Sequence, residues 1–177
     1  MELKEIFSRD LLKNLERFIF SGSAPIAVNH SGSEFDEKLK ETFESFSIPF
    51  VKLEKFFDQY QEIENTCKKM YNERNINWCK EDSKILIYPS SYDGVIHTDY
   101  WEGEYKLTTI TFLNSDWKKS WGGEILCYSD DCRVVTGGVT PEFGQTFLFN
   151  GKKPHRALAP IRLSSLLRAV LVTKEEQ

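Results

Sequence analysis

Val95-Ile96-His97-Thr98-Asp99-Tyr100-Trp101 lies near the start of a run of alternating, strand-like segments that continues to the C-terminus. On a strand, residues i and i+2 share a face, so His97 and Asp99 point the same way, about one pleat repeat apart. Another histidine, His155, stands in Lys152-Lys153-Pro154-His155-Arg156, late in the same run. Two histidines and one carboxylate, split into a close pair and a distant single, are the donor set of a facial iron site with open positions. The chain holds 3 histidines and two of them occupy these places; His30 is the spare. A His-x-Asp alone is a weak motif, so the metal reading depends on His97, Asp99 and His155 meeting in correctly ordered strands.

Outward from that stretch, period-2 patterns begin at Ser83. Strands are expected over 84–89, 95–101, 106–114, 123–128, 133–136, 145–150, 155–159 and 166–173. Between them lie the turn signals Glu102-Gly103-Glu104, Trp121-Gly122-Gly123, Gly137-Gly138 and Asn150-Gly151. About eight short strands at this spacing indicate a jelly roll or sandwich. Before Ser83 the periodicity is helical. Ser8 is placed to cap a helix carrying Leu11, Leu12, Leu15, Phe18 and Ile19 on one face, with Gly22 at its stop. A short strand is expected at 25–29. Further helices are expected over 34–46, closed by Pro49, and over 53–71. No internal repeat or linker separates the halves. The expectation is a mainly β chain with N-terminal helices (α+β), a single domain over 1–177: a helical part, 1–82, buttresses a double-stranded β-helix (jelly roll) core, 83–177.

Composition removes several classes of function. The 177 residues are 40% hydrophobic and 28% charged, with a formal net charge of -4 and no Lys/Arg-rich tract, which argues against nucleic acid as the partner. No apolar run approaches membrane-spanning length, so no membrane association is expected. The charged start, Met1-Glu2-Leu3-Lys4-Glu5, has no apolar leader core, and a cytoplasmic location follows as an expectation. In that compartment Cys67, Cys79, Cys127 and Cys132 are expected as free thiols. Their spacings do not suit zinc.

Three further features strengthen the metal reading, the first two through a place for an anionic group and the last chiefly through the fold. Arg168 opens the last apolar strand, where a partly buried guanidinium is costly without an anion, and its planar fork suits a carboxylate. Tyr88 ends the strand before His97 and can offer its hydroxyl to the same group. Gly122-Gly123 permits a tight turn between two barrel strands. A non-enzymatic jelly-roll binding module has no need of Arg168. A metal-dependent cupin that uses no such cosubstrate would want a further His or Glu near His97, where Tyr100 follows Asp99 instead.

In this order, Ile87-Tyr88-Pro89, His97-Thr98-Asp99, the segment Leu107 to Trp117, Trp121-Gly122-Gly123-Glu124-Ile125-Leu126, Pro154-His155-Arg156 and Arg168-Ala169-Val170-Leu171-Val172 resemble the Fe(II)/2-oxoglutarate-dependent dioxygenases, and especially their prolyl-hydroxylase-like branch. The resemblance covers about half of the chain. It implies Fe(II) held by His97, Asp99 and His155, with 2-oxoglutarate and O2 as cosubstrates and ascorbate as a reductant. It implies a salt bridge from Arg168 to the distal carboxylate of 2-oxoglutarate, a hydrogen bond to it from Tyr88, and Thr108 and Ile110 lining that pocket. The implied reaction is hydroxylation with release of succinate and CO2. Asp99 favours hydroxylation because related halogenases carry a small residue there, leaving room for chloride. A prolyl residue of a peptide or protein is the first expected substrate, with a free amino acid or other small molecule as the alternative. Tyr92, Tyr100 and Trp101 are the candidate substrate contacts, with 115–121 as a rim loop. Two departures stand out: the interval from His155 to Arg168 is long and holds a second arginine, Arg162, and Phe112 replaces a commonly hydroxylated aromatic.

Overall fold

The computed structural model describes residues 1–22, 24, 27–29, 48–53, 60–90, 94–100, 105–161 and 167–176. The expected helix at 34–46, the 54–59 part of the next helix, His30, Tyr92, Trp101 and Arg162 lie outside the described residues.

The order of elements is β1 (Glu2–Glu5), α1 (Arg9–Phe20), β2 (Ala27–Asn29), β3 (Ile48–Lys52), α2 (Tyr60–Asn72), β4 (Trp78–Pro89), β5 (Leu107–Phe112), β6 (Ile125–Tyr128), β7 (Val135–Val139), β8 (Gln145–Asn150), β9 (His155–Ala157) and β10 (Leu167–Glu175). A seven-stranded sheet runs β1-β8-β5-β10-β4-β3-β2, and a three-stranded sheet runs β7-β6-β9. Every pairing is antiparallel. Two opposed sheets of this kind are the double-stranded β-helix expected from the strand spacing.

Alternation along the central strands explains the layers. On β10, Val170 and Val172 join a cluster between the sheets with Ile110, Phe112, Ile125, Cys127, Phe147 and Phe149. Their neighbours Ala169 and Leu171 face the other way, into a second cluster with Leu11, Leu12, Leu15, Ile63, Met70, Ile85 and Ile87. A strand covered on both faces reads as an unbroken apolar run, as β10 does. The outer cluster is the buttress, made by α1 and α2 against the large sheet. Ser8 secures it twice: its Oγ accepts from the Leu11 amide at 3.2 Å, capping α1, and its hydroxyl donates to Glu62 of α2 at 2.8 Å. Leu12 and Leu15 are wholly buried there, and truncating either to Ala would cost about 2–5 kcal/mol.

The structure corrects the sequence reading in three places. The N-terminal part is not purely helical: β1 and β3 also join the large sheet. β1 is an edge strand with every residue exposed, so it has no hydrophobic alternation to detect. Pro49 lies inside β3, where its fixed φ is compatible with extended backbone. β4 starts at Trp78, before the apparent change of period at Ser83. And 94–100 is no regular strand. Only His97 forms a ladder bridge, opposite His155, while Gly94 and Asp99 donate backbone N–H groups to Ala157 and Gly151. No described helix is long and apolar enough to cross a membrane, and all four cysteines are free.

Candidate metal centre

The reciprocal bridge of His97 and His155, at 3.0 and 2.9 Å, aligns the irregular segment with β9. It brings the two rings to 4.4 Å between centroids. Asp99 follows two residues on. Its Oδ2 lies 3.4 Å from His155 Nε2, and potential ligand atoms of His97, Asp99 and His155 all fall within 4.8 Å of one another.

Each donor is oriented by a second contact. His97 Nδ1 lies 3.0 Å from the Val95 carbonyl and His155 Nδ1 lies 2.8 Å from the Lys153 carbonyl. A carbonyl only accepts, so each Nδ1 carries the proton and each Nε2 keeps a free lone pair, the tautomer that a metal requires. Thr108 donates its hydroxyl to Asp99 Oδ2 at 2.8 Å, and the Lys174 ammonium lies 2.7 Å from Asp99 Oδ1. These two residues are direct cross-strand partners, Thr108 on β5 and Lys174 on β10. Gly151 makes the arrangement possible: a Cβ there would overlap the Thr108 hydroxyl and the ring of Tyr100.

The electrostatics favour a ligand set ready for a cation. Burial by itself would push the Asp99 carboxyl up, but the Lys174 ammonium and the two imidazoles outweigh it and hold the group at about 2. Burial pushes His155 down to about 4, only partly opposed by Asp99. Near neutral pH Asp99 is therefore a carboxylate and His155 a neutral imidazole.

Toward the other end of β10 sits Arg168, with none of its surface exposed. Its Nη1 donates to the Gly123 carbonyl, and its guanidinium stacks 4.5 Å above the ring of Tyr88, its register partner on β4. Nε and Nη2 are buried with no hydrogen-bond partner among the described residues. Burial drags this guanidinium down to about 10. Gly123 has φ +82, and a Cβ on it would lie 3.1 Å from Arg168 Nη1 and 3.2 Å from Trp117. The glycine turn thus lets the arginine pass under Trp117, whose indole N–H donates to the Gly122 carbonyl at 3.1 Å.

Ile110 lines the same interior between the sheets, as Tyr88 does. Thr108 meets the metal-facing carboxylate directly, a contact closer to the triad than its expected place on the cosubstrate wall. Tyr100 is buried, and its hydroxyl shares its one proton between the carbonyls of Glu175, at 2.9 Å, and Leu107, at 3.1 Å. It is wedged inside the fold beside Asp99. Lys174 was missed by sequence reasoning. The signal was present: Arg168, Val170, Val172 and Lys174 are successive alternate residues of one strand, so the face that carries the arginine also carries the lysine.

Residues 83–170 match the family model described as the 2OG-Fe(II) oxygenase superfamily. No curated protein is similar to the chain in sequence. Among solved structures, a Pseudomonas putida prolyl-4-hydroxylase is similar at 17% identity and a TM-score of 0.64, over 99% of this chain and 91% of that one. A Trichoplax adhaerens prolyl hydroxylase, solved with a hypoxia-inducible-factor peptide fragment, is similar at 13% identity and a TM-score of 0.52, over 98% and 82%. The non-heme α-ketoglutarate-dependent epimerase SnoN from nogalamycin biosynthesis is similar at 12% identity and a TM-score of 0.65, over 99% and 76%. The chain belongs to the 2OG-Fe(II) oxygenase superfamily, and its fold is prolyl-hydroxylase-like. Members of that superfamily use Fe(II), 2-oxoglutarate and O2.

Proposed function

We propose that this protein is an Fe(II)- and 2-oxoglutarate-dependent hydroxylase in which His97, Asp99 and His155 hold the iron. One observation carries the reading: three buried or half-buried donors converge with both imidazoles in the ligating tautomer, while a fully buried arginine on the same barrel wall has two donors with no partner among the described residues. The donor set suits Fe(II), and the arginine suits a carboxylate. When bound, iron supplies the redox chemistry that couples oxidation of 2-oxoglutarate to succinate and CO2 with hydroxylation of a second molecule.

The chain's own residues supply position and charge. The Val95 and Lys153 carbonyls fix the imidazole tautomers. Thr108 and Lys174 hold the Asp99 carboxylate between them. Arg168 takes the distal carboxylate of 2-oxoglutarate on Nε and Nη2, with the Tyr88 hydroxyl beside it and Ile110 forming an apolar wall. Asp99 fills the position that a halogenase leaves open, so hydroxylation is the outcome. A prolyl residue of a peptide or protein is the first substrate to test, supported by the fold shared with prolyl hydroxylases. A small molecule is the second, since the similar epimerase comes from nogalamycin biosynthesis.

The test is aerobic incubation of the purified protein with Fe(II), 2-oxoglutarate and ascorbate, measuring succinate, with mass spectrometry of candidate peptides and amino acids for one added oxygen. Iron-dependent succinate formation supports the assignment. Its absence from iron-loaded protein sinks it.

A further inference from the structure

The metal end of the barrel carries a positive charge that the proposed cofactors leave unbalanced. Lys174 Nζ is fixed 2.7 Å from Asp99, with its side chain 20% exposed and its ammonium 6.0 Å from the centre of the Tyr100 ring. Lys84 lies on the same inner face. It pairs in register with Val172, the inward residue preceding Lys174, and its ammonium leans over Phe50 at 5.7 Å. Among the described residues, the acidic groups that act on Lys84 are Asp82, which is exposed, and Asp99 itself.

With the site loaded as proposed, the two charges of Fe(II) and the one on Arg168 are met by Asp99 and by both carboxylates of 2-oxoglutarate. That set is neutral without Lys174. The Lys174 ammonium is then surplus, and Lys84 adds to the surplus. Two cations facing inward are costly to bury unless an anion joins them. The overall charge of the chain is -4, so a generally basic composition does not explain their presence. An ammonium has three donors, and Asp99 takes one from Lys174. The other two have no acceptor among the described residues.

We propose that Lys174, with Lys84 beside it, is the recognition site for a carboxylate carried by the molecule to be oxidised. The substrate class is an acid, either a free amino or imino acid or a peptide whose terminal carboxylate lies next to the oxidised carbon. A neutral internal residue of a protein does not satisfy this site. The inference rests on the hydroxylase reading and narrows its substrate.

The experiment uses the full chain loaded with Mn(II) and 2-oxoglutarate, a paramagnetic and redox-quiet stand-in for the iron complex. Calorimetry first establishes that both bind. Nuclear relaxation of dissolved probes then reports which of them approach the metal. L-proline should be relaxed and L-prolinamide should not, and the dipeptide Gly-Pro distinguishes a peptide terminus from a free acid. In Lys174→Met at saturating Mn(II), the apparent affinity for the acid should fall about ten- to hundredfold, the worth of one charged hydrogen bond. Lys174→Arg should restore much of it. Equal relaxation by proline and prolinamide, or an acid preference unchanged in Lys174→Met, overturns the carboxylate site while leaving the hydroxylase reading intact. Failure of Mn(II) to bind overturns both.

Discussion

Replacing Arg168 with Met should leave the stability of the cofactor-free protein nearly unchanged, and by the same change abolish its response to 2-oxoglutarate. Burial holds the guanidinium at about 10 against an ordinary 12.5. At ~1.4 kcal/mol per pH unit, its charge costs roughly 3 kcal/mol in the folded state. Two contacts offset that cost: the stack on Tyr88 at 4.5 Å contributes ~1–2 kcal/mol and the bond to the Gly123 carbonyl about as much. Methionine refills much of the volume with no charge and no orphaned donors. The net change is then within about 1 kcal/mol of zero in either direction, a Tm shift of at most ~4 °C for a chain of this length. The native protein with Mn(II) should gain ~2.7 kcal/mol when 2-oxoglutarate is supplied at about a hundred times its Kd, roughly 5–10 °C. Arg168→Met should gain almost none of that. Thermal unfolding of both proteins, with and without 2-oxoglutarate, measures all four states. A variant with a clearly lower Tm that still responds to 2-oxoglutarate like the native protein would refute the reasoning, because the arginine would then be a structural group and not an anion anchor.

Acid should destabilise the metal-free protein in a defined window. His155 binds its proton near pH 4 when folded but near 6.5 when unfolded, so its contribution is complete above pH 6.5 and is lost as pH falls toward 4, roughly 3 kcal/mol in all. Asp99, held at about 2 against 3.8, adds a further loss below pH 3.8. Denaturant titrations across this range should show the slope, and His155→Gln should flatten its upper part; an equal slope in that variant would assign it elsewhere. Thr108→Val removes the hydroxyl that holds Asp99 Oδ2 and should weaken Mn(II) binding about 10–100-fold by calorimetry; unchanged affinity would leave Thr108 a packing residue. Gly123→Ala forces a side chain into φ +82 against Arg168 and Trp117, so it should cost about 1–2 kcal/mol and weaken 2-oxoglutarate binding together. A loss of stability with unaltered 2-oxoglutarate affinity would separate the turn from the arginine.

The jelly roll was legible because its central strands carry the signal twice. β5 and β8 are short β-propensity runs buried at most positions, and the apolar run of β10 likewise marks a strand covered on both faces. The convergence of His97, Asp99 and His155 was legible from residue types, since so few histidines leave little choice of partner. The route to its geometry differed from the one the spacing suggested. His97 and Asp99 share a side through isolated backbone bonds to His155 and Gly151, not through a regular strand. Elements without apolar contrast were not legible: β1 is polar and exposed at a sheet edge, and β3 contains a proline read as a stop. Lys174 was overlooked because a lysine near a chain terminus reads as solvated, and only the β5–β10 register reveals that it stands opposite Thr108 with Asp99 between them.

The most direct test of the central claim is the iron content of the protein after anaerobic loading with Fe(II) and removal of excess metal. The account predicts one iron per chain in the native protein, and almost none in His97→Ala, Asp99→Ala or His155→Ala, each of which should remain folded by circular dichroism. Full iron occupancy in any of the three variants would remove that residue from the ligand set. A native protein that retains no iron at all would contradict the metal centre itself.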